Sequence, residues 1–146
     1  MTQSPPLTPP ADVALAWAAA EAADDRKGAD IVILRVTDVS YLADYFVMVT
    51  GFSPAQVKAI ARSIEGKLSQ DWHRSPRRVE GQGEGRWVLQ DYGDLIVHIF
   101  MPQEREFYNL EAFWGHGERI PFQPAAPALQ PPGAAATSGS ARGTRD

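Results

Sequence analysis

A small α/β domain, with helices packed on a mixed β-sheet, is what the sequence predicts, and three observations carry that expectation. Residues 87–100 hold two runs of β-forming residues around Tyr92-Gly93, the pattern of a hairpin. Ser53-Pro54-Ala55-Gln56 opens a run whose apolar residues recur at spacings of three and four, which predicts an amphipathic helix. Two further apolar segments, residues 30–36 and 44–50, supply the remaining strands. The elements then read α-β-β-α-β-β-β-α, an order that places helices against a sheet of mixed direction.

Taken along the chain, residues 1–10 hold four prolines and little to bury, so they are expected to be disordered. The folded part is expected over residues 11–118. Ala11 to about Arg26 is alanine-rich and should be helical. Val13, Ala16, Trp17 and Ala20 share one face, with Trp17 as its anchor in the core. Gly28 is placed to take the left-handed conformation that closes the helix. In Asp30 to Val36, four consecutive apolar residues predict burial on both faces and a central strand. Asp44 to Thr50 is a second buried strand.

Ser53 should cap the next helix, with Pro54 at its first position. Val57, Ile60, Ala61, Ile64 and Leu68 form the inner face, and Lys58, Arg62, Glu65 and Lys67 point away. Each large apolar side chain there contributes roughly 1.5–3 kcal/mol when fully buried. That outweighs the cost of about 1 kcal/mol for Gly66 inside the helix.

Asp71 to Arg74 ends the helix or begins a loop. Arg77 to Glu80 reads as an edge strand, and Gly81 to Gly85 as a turn into the Trp87 strand. Gly93 supplies the backbone freedom of the hairpin turn. Gln103 to Trp114 reads as one amphipathic helix with Phe107, Leu110 and Trp114 facing the core. From Arg119 the composition turns to Pro, Ala, Ser and Gly, and residues 119–146 are expected to be disordered.

The totals narrow the function classes. There is no cysteine, hence no disulfide framework and no thiolate metal site. The N-terminal residues lack the basic start and apolar core of a secretory signal, and no run approaches the roughly 18 apolar residues of a membrane span. A cytoplasmic location without membrane attachment is expected. The net charge is −4. The segment from Arg119 onward holds three arginines against one aspartate, so the domain before it is more acidic than the whole. Such a domain is poorly suited to a phosphate backbone and better suited to a neutral or basic partner. Little direct nucleic-acid binding is expected. A modest negative charge also simply keeps a small domain soluble.

Three places are chemically suggestive, and each has a structural reading beside it. Asp91 and Asp94 bracket a turn, where they could hold a hard cation, divide acid and base roles, or merely suit the turn. His98 lies in an apolar strand, as a base or ligand, or as a core residue with its ring nitrogens satisfied by backbone. Gly51-Phe52-Ser53 before a helix resembles an anion site, yet the neighbouring strands offer only Glu80 and Asp91 where two-metal phosphoryl transfer needs several carboxylates. The three histidines show no metal spacing. Aromatic residues are the more suggestive group: Trp87, Tyr92, Phe107, Tyr108, Phe113 and Trp114 fall within 28 residues. Trp87 at a strand start and Tyr92 at a turn tip sit where side chains can be exposed, and exposed aromatic residues make interface anchors; the structural reading is that the rings fill the core, which is the commoner fate of any single one.

Four stretches together resemble the ribosomal silencing factor family, also called the Iojap family. They are Asp44 to Ser53, Glu80-Gly81, the hairpin Trp87 to Phe100, and Arg105 to Glu111 with Trp114. The resemblance covers about residues 11–115. It implies a homodimer with a nucleotidyltransferase-like α/β fold that lacks catalytic activity, and the residues themselves lead to no expected cofactor or metal. It implies binding to the large ribosomal subunit through the protein numbered fourteen on its intersubunit face. The bound factor would block joining of the small subunit and repress translation when nutrients run short. Interface positions carry over to Trp87, Tyr92 and Tyr108, although many relatives have leucine where Tyr92 stands. Two alternatives stand beside this reading: a role in assembly of the large subunit, as in organellar relatives, and a metal-dependent nucleotidyltransferase using Ser53 with Asp91 or Asp94.

Overall fold

The protein's architecture is taken from a computed structural model, which describes residues 13–37, 43–113 and 117–122. Among the described residues ten elements follow one another: α1 (Ala14–Asp25), β1 (Ala29–Arg35), β2 (Tyr45–Thr50), α2 (Pro54–Trp72), β3 (Arg78–Glu80), β4 (Trp87–Asp91), β5 (Leu95–Phe100), α3 (Pro102–Tyr108), α4 (Leu110–Phe113) and β6 (Glu118–Ile120). The strands form one mixed sheet in the order β3-β4-β5-β2-β1-β6. Its central pair, β2 and β5, is parallel, with Tyr45 opposite Leu95 and Thr50 opposite Phe100. The other neighbours are antiparallel. The expected mixed α/β architecture is thus present.

Side-chain alternation along the strands sorts the core into two layers. Ile33, Val47, Val49, Val88, Leu95, Val97 and Ile99 point to the face covered by α1 and α2. Val32, Leu34, Phe46, Met48, Ile96 and Phe100 point to the other face. Every residue of β2 and β5 is buried, because these strands have neighbours on both edges and apolar material on both faces.

The α2 inner face comprises the five residues that the periodicity named, Val57, Ile60, Ala61, Ile64 and Leu68. Its start is built as the capping pattern requires. Ser53 Oγ accepts from the Gln56 N–H at 3.1 Å, and Gln56 Oε1 accepts from the Phe52 N–H at 2.8 Å. Gln56 Nε2 also donates to the carbonyls of Arg26 and Lys27, tying this end of α2 to the end of α1. Along α1, Ala16, Ala19, Ala20 and Ala23 are buried. Such small side chains let two helices approach closely, and Ser63 Oγ donates across to the Ala22 carbonyl at 2.9 Å.

Several expectations are corrected. The left-handed residue after α1 is Lys27, not Gly28. Gly28 is required for close approach instead, since a Cβ there would lie 2.5 Å from Val49 Cγ1. Gly93 does adopt the positive φ its turn requires.

The single helix expected over 103–114 is two short helices, broken where Asn109 turns left-handed. That break removes the common face on which Phe107 and Leu110 were placed. Phe107 is 80% exposed and Leu110 packs against the core. Trp114 lies outside the described residues. Folded structure also runs past residue 118. Ile33 pairs with Ile120 in β6, and Phe122 meets Trp17 edge-to-face at 5.0 Å. Trp17 is accordingly half-buried, a lid on the core and not its centre. The expectations for residues 1–10 and 123–146 lie outside the described residues.

Candidate partner-binding surface

The sheet face opposite α1 and α2 carries an open groove of about 480 Å³. Phe46, Trp87, Leu89, Ile96, His98 and Leu110 line it, with Arg77, Arg78 and Asp91 at one end. Strand parity explains the set. In β4, Trp87, Leu89 and Asp91 share this face. In β5, Ile96, His98 and Phe100 do, and Phe46 of β2 lies beside them. Helix α3 turns back over the far end. There Arg105 Nη1 donates to Thr50 Oγ1 at 2.8 Å, with its guanidinium 5.5 Å from the Phe100 ring centre. Arg86 fixes the same helix from the other side, through Glu104 at 2.7 Å and Gln103 at 3.1 Å.

Trp87 is the hub of this face. Its ring centre lies 4.7 Å from that of Tyr108, 5.6 Å from Phe100 and 5.9 Å from His98. Trp87 is half-buried, whereas Tyr108 is 52% exposed and continues outward to Phe107. Two of the three residues named from the sequence therefore meet on one surface.

The third does not. Tyr92 is only 5% exposed, and its hydroxyl donates to Gln90 Oε1 at 3.1 Å. Burial raises its pKa first, and the Glu65 charge raises it further. Tyr92 belongs to the core under α2, on the face opposite Trp87, because the two are an odd number of residues apart in one extended segment. An exposed Tyr92 at the turn tip is thus corrected: its ring packs inside the domain. Gln90, fully buried beside it, donates to the Ala61 carbonyl at 2.9 Å. The alternation of β4 already carried that information.

The other sequence candidates resolve in structural terms. His98 is 6% exposed, and burial lowers its pKa to about 4. Its Nδ1 accepts from Trp87 Nε1 at 3.1 Å, so the expected backbone partner is replaced by an indole. Asp91 accepts from the Gly93 N–H at 2.8 Å and pairs with Arg77 and Arg78 at 3.3 and 3.6 Å. Asp94 pairs with Arg74 at 2.6 Å. Both carboxylates thus serve the turn and its arginines. Among the described residues no group of three or more His, Asp or Glu is arranged to hold a metal ion. Ser53 Oγ is engaged in the cap of α2. No described helix is long and apolar enough to cross a membrane.

Comparison with known proteins gives a consistent family. The profile of the family described as "Ribosomal silencing factor during starvation" matches residues 9–145. The ribosomal silencing factor RsfS of Bacillus subtilis is 44% identical over 97 residues, covering 66% of this chain and 81% of that protein. The chloroplastic Iojap protein of Zea mays is 37% identical over 102 residues, covering 69% of this chain and 43% of the longer plant protein. A crystal structure of a Chromobacterium violaceum protein superimposes with a TM-score of 0.67 at 37% identity, covering 77% of this chain and 92% of that one.

Proposed function

The chain belongs to the ribosomal silencing factor family, and from that premise we propose that it binds the large ribosomal subunit through the protein numbered fourteen, blocking the small subunit from joining. The observation that carries this reading is the Trp87–Tyr108 pair, half-open on a sheet face that α1 and α2 leave free. Aromatic rings at the rim of an apolar groove are the usual anchors of protein interfaces. The acidic domain complements a basic ribosomal protein by charge.

The action is steric. A body of this size on the intersubunit face occupies space that the small subunit needs, and translation falls when nutrients are short. Catalysis is not part of the reading, since the candidate carboxylates are held by arginines and Ser53 by its cap. Two copies pair in the free state, and the protein works in the cytoplasm.

Cosedimentation tests the proposal directly. Purified large subunits should carry the protein into heavy gradient fractions, and adding small subunits should then yield fewer joined ribosomes as its dose rises. Free joining of the two subunits at saturating protein would overturn it.

A further inference from the structure

We propose that His98 is a positioning residue that fixes the orientation of the Trp87 ring and thereby the apolar character of the surface offered to the partner. The inference rests on the reading of this face as the binding surface. It starts from register. Trp87 lies opposite Phe100 and Leu89 opposite His98, so Trp87 and His98 are diagonal neighbours on the same face. Long side chains reach each other across such a diagonal. The indole N–H is the ring's single polar group, and it donates inward to His98 Nδ1 at 3.1 Å.

The imidazole is itself held. It stacks on Phe100 at 6.1 Å with an interplanar angle of 24°, and it meets Phe46 edge-on at 5.5 Å. For Nδ1 to accept, the ring must be neutral with its proton on Nε2. Burial keeps it neutral near pH 7. With the N–H satisfied inside the protein, the remaining ring surface is hydrocarbon, set against Tyr108 at 4.7 Å. The surface therefore fits a partner that brings apolar side chains, not a hydrogen-bond acceptor, to Trp87. Without the acceptor, the N–H would be left buried and unpaired, or the ring would swing towards water and leave Tyr108.

The test compares His98→Asn, which keeps an acceptor near the Nδ1 position, with His98→Leu, which has none. Two quantities are read: the indole N–H resonance of Trp87, and the dissociation constant for purified large subunits. His98→Leu should shift the resonance and weaken binding about five- to tenfold. His98→Asn should bring both back to within about twofold of the parent. In a Trp87→Phe background, which has no indole N–H, His98→Leu should have no further effect on binding. A purely structural role for His98 would leave the two effects additive. If His98→Leu does not fold, His98→Phe keeps a ring without an acceptor and takes its place.

Parent-like binding by a folded acceptor-free variant would overturn the inference. So would His98→Asn behaving like His98→Leu. Failure of the parent protein to bind large subunits would instead sink the functional reading, and an unmoved indole resonance in the acceptor-free variant would then refute the positioning role by itself.

Discussion

The two faces of the sheet are built on different terms. Under α1 and α2, the packing is mostly aliphatic and small: Ile33, Val47, Val97 and Ile99 meet Ile60, Ile64 and the alanines of α1, with Tyr45 and Tyr92 as the buried rings among them. The opposite face is aromatic, with Phe46, Phe100, His98 and Trp87 around a groove whose rim reaches solvent at Tyr108 and Phe107. Aliphatic side chains between helix and sheet bury completely and contribute chiefly to stability. On the opposite face Phe46, Phe100 and His98 are buried too, but Trp87, Tyr108 and Phe107 are only partly covered and have area left to bury against something else. The difference teaches a division: helices close one face, while the other keeps partly covered rings at its rim, which the proposed function uses for recognition.

That division can be broken by experiment, and the largest effect should come from the covered face. Ile64→Ala removes a fully buried side chain and should cost about 2–5 kcal/mol in denaturant unfolding. The fraction still folded should bind large subunits as before. Lost affinity in folded Ile64→Ala would mean the two faces are not independent.

Acid should act next, through the open face. Burial places the folded-state pKa of His98 at about 4, below its ordinary value of 6.5. The unfolded chain therefore binds the extra proton between those values, so His98's contribution is fully present above pH 6.5 and lost as pH falls towards 4. The loss should be about 1.4 kcal/mol per pH unit, roughly 3 kcal/mol in all. Urea titrations across this window should show the slope in the parent protein, and His98→Asn should flatten it.

Trp87→Ala should separate recognition from stability. It should weaken large-subunit binding at least about tenfold, near 1.4 kcal/mol, while costing less stability than Ile64→Ala. The smallest effect sharpens the same boundary from below. Tyr92→Phe leaves Gln90 Oε1 without its donor and should lower stability by about 1 kcal/mol. Binding should not change, and weakened binding would return Tyr92 to the contact surface.

Much of this architecture is legible in the sequence where a local signal spans several residues. Helix α2 announces itself through Ser53, Pro54 and Gln56 and through five apolar positions in register. The β4–β5 hairpin is equally plain. What escapes the sequence is decided by single residues or by distant partners. Asn109 breaks a helix because asparagine tolerates the left-handed turn that ends one, but it does not require that turn, and the stripe through Phe107 fails with it. Strand β6 is three residues long and exists because β1 has a free edge, which no periodicity near Ile120 reveals. At the candidate site the aromatic crowding was visible, but which rings share a face depended on parity. Counting from Trp87 to Tyr92 would have separated them. The Trp87–His98 hydrogen bond depends on hairpin register, so spacing alone could not supply it.

The parallel pairing at the middle of the sheet has a consequence for how the protein comes into being. The edge of β2 that faces β5, where Tyr45 lies opposite Leu95, stays open until β5 is available, and Ile33 waits for Ile120 before the second edge of β1 is closed. Contacts between such distant parts of a chain must first overcome the entropy of closing long loops, which slows folding. During synthesis the early helix and the first two strands can form only a partial assembly, with the β5 edge of β2 open. A member of the ribosomal silencing factor family thus reaches its own shape only once β5 and β6 have themselves left a ribosome.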